Sequence, residues 1–393
     1  MITFKNGKYH INNGLCQQCG SCYAICPKQA ISYIRRPETG LLHFDIVHNE
    51  CINCGLCEKH CPANKSTYLP DIDSYCQNKT YYLGSHKNEN IRKAASSGGI
   101  ARGIIVEGLK SGLFDGVYTL KRIDTYPYAE GEFYTPLNLP SYHDIPNSLY
   151  HSVPLNLQLH KIQKCKRLLI VGTPCQLRSL STIVKSKCEE LIQLAIFCKQ
   201  QKTFQSTRFI AKLAKTKLEA TSQPVTLSYR GNGWPGYCTF NDRCVPWGTA
   251  AQLPFGKKLW TVPGCDICGN PFGNDVNLTL MDPWVIKKKN DMGDTVIIVH
   301  DKQGADILAA LQPYIRTDLL NFQQIEPALM CHDIIRKNKY LNYFKGQEVN
   351  PEIIRGGNAF RNRRKRLEHF LLSAPRFPLI VYKILGRIIK DIE

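Results

Sequence analysis

The sequence contains no run of about 18 uninterrupted apolar residues, so no membrane-spanning helix is expected. Its first residues, MITFKNGKYHINNG, lack the apolar stretch of a secretory signal. A cytoplasmic chain is therefore expected, and its 18 cysteines should be thiols or metal ligands rather than disulfides. Acidic residues are also scarce: 32 Asp and Glu against 51 Lys and Arg, a formal net charge of +19. Residues 1–80 carry 8 basic and 6 acidic residues, 81–345 carry 33 and 21, and 346–393 carry 10 and 5. The excess suits an anionic cofactor or an acidic electron carrier; a general solubility feature is the alternative. No nucleic-acid-binding motif accompanies the charge, so nucleic acid is not an expected partner.

Cysteine is what the chain has in quantity, and it is patterned. Cys16, Cys19, Cys22 and Cys26 follow C-x2-C-x2-C-x3-C-P, and Cys51, Cys54, Cys57 and Cys61 repeat it. Three cysteines at this spacing wrap one corner of a cubane iron–sulfur cluster, and the fourth thiolate reaches the other cluster. Cluster one is thus expected on Cys16, Cys19, Cys22 and Cys61, and cluster two on Cys51, Cys54, Cys57 and Cys26. Zinc would want two separate C-x2-4-C pairs and no such doubled run. Residues 1–66 therefore resemble a bacterial-type two-cluster ferredoxin, with two [4Fe-4S] clusters. His43, His48 and His60 read as surface histidines rather than ligands. The run beginning at Cys16 is expected at the outer terminal of an electron relay.

The rest of the chain must hold the other terminal. Residues 67–90 are polar and read as a linker. In AASSGGIARGIIVEGLKSG, Ile100, Ile104, Ile105 and Leu109 make one helical face, with Ser96 and Ser97 as candidate caps and Gly112 as a stop. Such a helix start can receive an anion; a simple capped turn is the alternative. RLLIV (167–171), a helix from Gln176 to Val184 and LIQLAIF (191–197) suggest a βαβ unit with parallel strands. Cys175 and Cys198 then lie past the carboxyl ends of strands, where open α/β sheets place their sites. With Cys265 and Cys268 they are placed to hold a third [4Fe-4S] cluster; buried structural thiols are the alternative. Cys76, Cys165, Cys188, Cys238, Cys244 and Cys331 read mostly as ordinary thiols. Of these, the Cys238/Cys244 pair is a possible replacement for one proposed ligand, and Cys331-His332 reads as structural.

The blocks AASSGGIA, GTPCQLRSL, LIQLAIFC, YRGNGWPGY and CDICGNPFGNDVNLTLMDPW occur in that order. Together they resemble the beta-subunit family of coenzyme F420 (deazaflavin) hydrogenases and dehydrogenases, from about Tyr81 to about Leu311. The resemblance implies a flavin, FAD or another, contacted at Ser96, Ser97, Gly98 and Gly99, with Asp282 near the cofactor beside Trp284. It also implies an internal cluster on Cys175, Cys198, Cys265 and Cys268. Three positions depart from the family pattern: Met281 where glycine is usual, Lys199-Gln200 for His-Gly, and Leu149 for lysine in Ser148-Leu149-Tyr150. These departures are expected at substrate or cofactor contacts, and they weaken a direct reading of the deazaflavin coenzyme as substrate.

From Arg361 to Lys390 the chain carries nine basic residues and one acid, Glu368, among leucine, isoleucine and phenylalanine. This pattern reads as an amphipathic helix broken near Pro375 and Pro378. It can pack on the protein's own core, or touch a partner protein or the inner membrane surface peripherally. The expected class is α+β: a ferredoxin domain (1–66), a linker (67–90), an α/β flavin and 4Fe-4S domain (91–345, divided near 160) and a basic helical tail (346–393). The expected activity is electron transfer between clusters and a flavin acting on a deazaflavin-like or other organic substrate, with a redox partner protein. The alternative is an electron-transfer subunit without its own substrate. No catalytic residue is assigned.

Overall fold

A computed structural model describes residues 1–65, 72–218, 222–273, 275–284, 286, 291–329, 331, 333–337 and 351–389. Residue 66, the start of the expected linker (67–71), His332 and both ends of the expected tail (346–350 and 390–393) lie outside the described residues. In the N-terminal unit, β1 (Ile2–Lys5) pairs with β2 (Lys8–Ile11), and β3 (Ile31–Arg35) with β4 (Leu42–Ile46), both antiparallel. Ile2, Tyr9, Ile31, Leu42, Phe44 and Ile46 form its small core, packed directly against the cysteines. So small a core gains from a metal staple. Each cysteine run turns into a short helix through a glycine in the left-handed region, Gly20 (φ +90°) and Gly55 (φ +73°).

Eight strands form the main sheet: β5 (Thr80–His86), β6 (Gly116–Arg122), β7 (Ala129–Tyr134), β8 (Cys165–Gly172) and β9 (Cys188–Ile196), then, after a separate hairpin region, β13 (Leu278–Met281), β14 (Thr295–Val299) and β15 (Ile315–Leu320). The intervening β10 (Leu227–Ser228), β11 (Tyr237–Phe240) and β12 (Arg243–Pro246) make a three-stranded antiparallel sheet. The order of the large sheet is β15-β5-β14-β13-β9-β8-β6-β7. Its centre, β13-β9-β8-β6, is parallel, and antiparallel strands extend both sides. The expected parallel βαβ unit is present as β8, helix Pro174–Val184 and β9.

Side chains alternate across this sheet, and both faces are apolar, as buried parallel strands require. Leu169 and Val171 pack with Ile100, Ile104, Ile105 and Leu109 of helix Ile100–Lys110 on one face. Leu168 and Ile170 pack with Leu177, Leu180 and Val184 on the other. Each such side chain contributes about 1.5–3 kcal/mol on burial.

The polar linker expected over 67–90 does not persist to residue 90. Thr80–His86 is β5, paired on both sides by β14 and β15. Its polar letters mislead because their groups find partners in the fold: the Tyr81 hydroxyl donates to the Cys76 carbonyl at 2.6 Å, and Ser85 Oγ accepts from Arg316 Nε at 2.8 Å. In the tail, helices Pro351–Ser373 and Leu379–Ile388 flank the break at the two prolines. Leu371 and Tyr382 are buried in a core with Phe209 and Trp260, and Lys212 Nζ donates to the Leu371 carbonyl at 2.9 Å. One face of the tail therefore packs on the protein itself.

Candidate cluster sites and cofactor cavity

The ferredoxin thiols fall into two crossed groups. The Cys19 thiol is raised to about 12, chiefly by burial and also by the charges of Cys16 and Cys61, against the hydrogen bonds from Ser21. Cys16 and Cys22 are likewise raised by burial and feel Cys61. Burial also takes Cys57 up to about 11, with Cys51, Cys54 and Cys26 adding their charge. Cys26, Cys51, Cys54 and Cys57 line one small enclosed space together with Tyr9 and Ile31. The fourth cysteine of each run thus faces the other run's triplet. Backbone amides point at the sulfurs: Gln18 N–H donates to Cys16 Sγ and Ala30 N–H to Cys26 Sγ, each at 3.3 Å. Crowded buried thiols raise one another's pKa; a cationic metal core relieves that repulsion, so these sets fit clusters.

A third group forms where the sheet ends. Cys175 lies in the first turn of helix Pro174–Val184, just past β8, and Cys198 follows β9. Burial raises the Cys175 thiol well above its usual value, and Cys268, Cys198 and Cys19 add to it. Cys198 is raised by burial, then by Cys265 and Cys268. Cys265 reaches about 11 through burial, although Lys337 and the Gln201 amide, 3.3 Å from its sulfur, pull it down. All four of these groups are thiols, the donor type that a four-iron cluster takes. Cys238 and Cys244 are not part of it. They sit on β11 and β12, with Cys244 exposed and Cys238 influenced by Cys244.

The two units are locked together beside these thiols. Asn156 N–H donates to the Cys19 carbonyl at 3.0 Å, and its Nδ2 donates to Ser21 Oγ (2.8 Å) and the Gln176 carbonyl (3.1 Å). Ser179 Oγ donates to the His60 carbonyl at 2.6 Å, and His60 Nδ1 meets Thr182 Oγ1 at 2.8 Å. His60 is therefore a buried docking residue, not the expected surface histidine. The order of the groups also differs from expectation. Cys19 is buried and influences Cys175, whereas Cys54 is exposed. Asn156 holds Ser21 against the Gln176 carbonyl and Ser179 holds His60, the neighbour of Cys61, so the group of Cys16, Cys19, Cys22 and Cys61 lies inward and the Cys51–Cys57 loop outward.

Next to the third group opens a cavity of about 1550 Å³, lined in part by Ser96, Ser97, Gly99, Cys198 and Asp282. Four of the five residues assigned to cofactor contact thus share one wall system. Gly98 stands behind it: its N–H donates to Thr295 Oγ1 (2.9 Å) and a β-carbon there would strike the Gly84 carbonyl. Ser96 and Ser97 do not cap the helix as expected. Gly99 (φ +79°) takes the cap position, while Ser96 Oγ accepts from Ser148 N–H (2.8 Å) and Ser97 Oγ meets Thr295 Oγ1 (3.0 Å). These contacts fix the start of helix Ile100–Lys110 at the cavity, where its first amides lack intrahelical partners. The departures from family pattern, Leu149, Lys199, Gln200 and Met281, all line the same cavity. Burial pushes the Lys199 ammonium down to about 8, with Asp333 opposing and Lys337 and Lys258 reinforcing the shift.

Sequence reasoning missed Arg230. Its side chain is fully buried, 4.6, 5.3 and 5.1 Å from the ring centroids of Trp234, Trp247 and Trp284. It donates to Asp282 Oδ2 (3.0 Å), the Ser96 carbonyl (2.9 Å), Tyr150 Oη (3.1 Å) and the Pro235 carbonyl (2.6 Å). Burial works against its charge, but Tyr150 and Asp282 more than compensate, and its pKa is raised. The signal was an arginine before the glycine-rich GNGWPG turn; the tryptophans at 247 and 284 are too distant in sequence to be foreseen. Lys202 was also missed: its buried Nζ donates to Gln200 Oε1 (2.9 Å), the Leu259 carbonyl (3.0 Å) and Thr261 Oγ1 (3.0 Å).

Thiols gathered in this way make the molecule an iron–sulfur redox protein. Residues 15–65 match the 4Fe-4S dicluster domain. Residues 81–135 and 165–327 match the N-terminal and C-terminal parts of the coenzyme F420 hydrogenase/dehydrogenase beta subunit, which together span more than half of the sequence. The chain belongs to that family. It is 25% identical over 253 residues to an uncharacterized protein of Methanocaldococcus jannaschii, covering 56% of this chain and 68% of that protein. It is also similar to a chain of the F420-reducing [NiFe] hydrogenase complex from Methanosarcina barkeri (TM-score 0.47, 15% identity, covering 69% of this chain and 93% of that one). Among the described residues no helix is long and apolar enough to cross a membrane.

Proposed function

We propose that the protein is an iron–sulfur flavoprotein oxidoreductase that exchanges electrons between a redox partner and an organic acceptor or donor. The observation that carries this reading is the double role of Cys198, which belongs to the third thiol group and also lines the large cavity. Cys16, Cys19, Cys22 and Cys61 would hold one cluster, Cys51, Cys54, Cys57 and Cys26 a second, and Cys175, Cys198, Cys265 and Cys268 a third. Ser96, Ser97, Gly99 and Asp282 would contact a flavin, FAD or another, with Gly98 supporting the turn. When bound, these groups supply one-electron transfer and its exchange with two-electron chemistry. The chain's own part is positioning. Arg230 ties the Ser96 carbonyl to Asp282, and the Asn156 contacts hold the two cysteine-bearing units in register. The cavity exceeds the roughly 300–1,000 Å³ of a site for one small ligand, which supports a cofactor and a substrate side by side. Anaerobic reduction of the holoprotein tests this. Flavin bleaching on mixing with a reduced ferredoxin is expected in the wild type and should slow at least about tenfold in Cys175→Ser; equal rates would sink the relay.

The exposed Cys54 and Ile52 support a docking face for a redox partner protein or acidic carrier at the outer group. Helix Leu379–Ile388 supports peripheral membrane contact: Ile380, Ile384 and Ile388 are exposed at a four-residue spacing, with the exposed Arg376 just before the helix. Co-sedimentation with phosphatidylglycerol vesicles but not phosphatidylcholine vesicles is expected; equal recovery with both would count against an anionic lipid surface.

A further inference from the structure

One rim of the cavity is lined by a part of the chain beyond the family match. The family match ends at residue 327, yet Asp333, Arg336, Lys337, Lys383, Gly386 and Arg387 all line the cavity. The last helix is seated firmly enough to serve as a wall. Tyr382 is buried against Phe209, with ring centroids 5.5 Å apart, and Gln252 Nε2 donates to the Lys383 carbonyl at 3.2 Å. Gly386 lies so close to the Gln252 side chain that a β-carbon would overlap it. Positions 383, 386 and 387 share one helical face, turned to the cavity, while 382, 385 and 389 face the core.

That wall is cationic. Lys383, Arg387, Arg336, Lys337, Lys199 and Lys258 all line it, Lys199 from the loop after β9 and Lys258 from the segment before Cys265. Acids on the same wall are already engaged. Asp333 accepts from both Lys258 (2.8 Å) and Arg336 (3.2 Å), and Asp266 is paired with Arg364 at 3.4 Å. Lys383 and Arg387 are exposed, and among the described residues they form no ion pair. A low-dielectric wall with an excess of positive charge concentrates anions, and Lys and Arg together suit a phosphate or carboxylate.

We propose that this C-terminal extension completes the substrate site, and that Lys383 and Arg387 select an organic redox substrate bearing a phosphate or carboxylate group. The inference rests on the flavoprotein reading above, since it gives the remaining space to a second molecule. The same chemistry could serve the flavin's own phosphate, but the start of helix Ile100–Lys110 on a different element already offers an anion site for that.

The test uses the anaerobic holoprotein and inorganic pyrophosphate as probe. Binding is measured by calorimetry for the wild type, Lys383→Gln/Arg387→Gln, and the charge-keeping Lys383→Arg/Arg387→Lys. Flavin and iron are counted in each. The expected result is binding in the wild type, at least about tenfold weaker in the glutamine variant, and restored in the charge-keeping one, with flavin and iron unchanged. Equal affinity in wild type and glutamine variant, or no binding at all, would overturn the proposal. Loss of flavin in the glutamine variant would also overturn it, by assigning the rim to the cofactor. Charge-dependent pyrophosphate binding in a protein that purifies without flavin would support the cationic rim and instead refute the flavin reading.

Discussion

Gly264 rests against the backbone carbonyl of Cys16 with no room for a β-carbon between them. Cys16 belongs to the inner ferredoxin thiol group, and Gly264 immediately precedes Cys265 of the third group. The contact sets the approach of the two cysteine-bearing loops. Gly264→Ala should therefore force the loops apart and destabilise the protein by about 1–3 kcal/mol, the range for an overpacked site. Anaerobic urea unfolding checks the stability, and flash-induced electron transfer between ferredoxin and flavin checks the spacing. A variant as stable and as fast as the wild type would show that the contact is incidental.

Cysteine replacement separates the third group from the bystanders. Cys175→Ser should lose about four irons and leave about eight, those of two four-iron clusters. Cys244→Ser, on the exposed hairpin strand, should leave the iron count unchanged. Equal iron in Cys175→Ser and wild type would remove the third site.

Arg230 is the keystone of the cavity wall. Arg230→Gln leaves Asp282 without its buried partner and frees the Ser96 carbonyl. The cost should be about 3–5 kcal/mol, typical when one partner of a buried pair is removed. Flavin content should fall with it, while the eight ferredoxin irons remain. Thermal unfolding followed with flavin fluorescence reads both effects; full flavin retention at unchanged stability would contradict the role.

Stability should fall on the acid side of neutrality. His151 is buried; its Nε2–H donates to the Pro127 carbonyl at 2.6 Å, which leaves Nδ1 to accept from the Tyr229 hydroxyl at 2.8 Å. Burial lowers its pKa to about 4, and burial lowers that of His300 to about 3. Unfolded histidine titrates near pH 6.5, so the unfolded chain takes up protons first. The contribution of each neutral ring is complete above about pH 6.5 and declines as the pH falls toward 4, by up to about 1.4 kcal/mol per pH unit for each histidine. Urea midpoints measured from pH 7.5 to 5 should drop accordingly, and less steeply in His151→Asn. A flat profile would exclude this linkage.

Much of the architecture was legible because local patterns carried it. Ile100, Ile104, Ile105 and Leu109 revealed a helix by spacing alone, and the apolar runs around Leu169 and Leu194 revealed parallel strands. The proposed crossing of the fourth thiolates rests on the reach of a C-x2-C-x2-C loop, which cannot present its fourth sulfur to the same corner. What failed were readings that depend on distant partners. Thr80–His86 looks like linker until β14 and β15 pair with it. Ser96 and Ser97 look like caps until Ser148 and Thr295 claim their hydroxyls. The orientation of the ferredoxin was set by Asn156 and Ser179, whose letters carry no such signal. Arg230 needed three tryptophans from separate segments.

The most direct measurement is the content of the protein purified without oxygen: iron, acid-labile sulfide and flavin per chain. The proposed three four-iron clusters and flavin predict about twelve irons, about twelve sulfides and about one flavin. About eight irons with no flavin would contradict the relay and leave a two-cluster ferredoxin attached to an α/β domain of some other use.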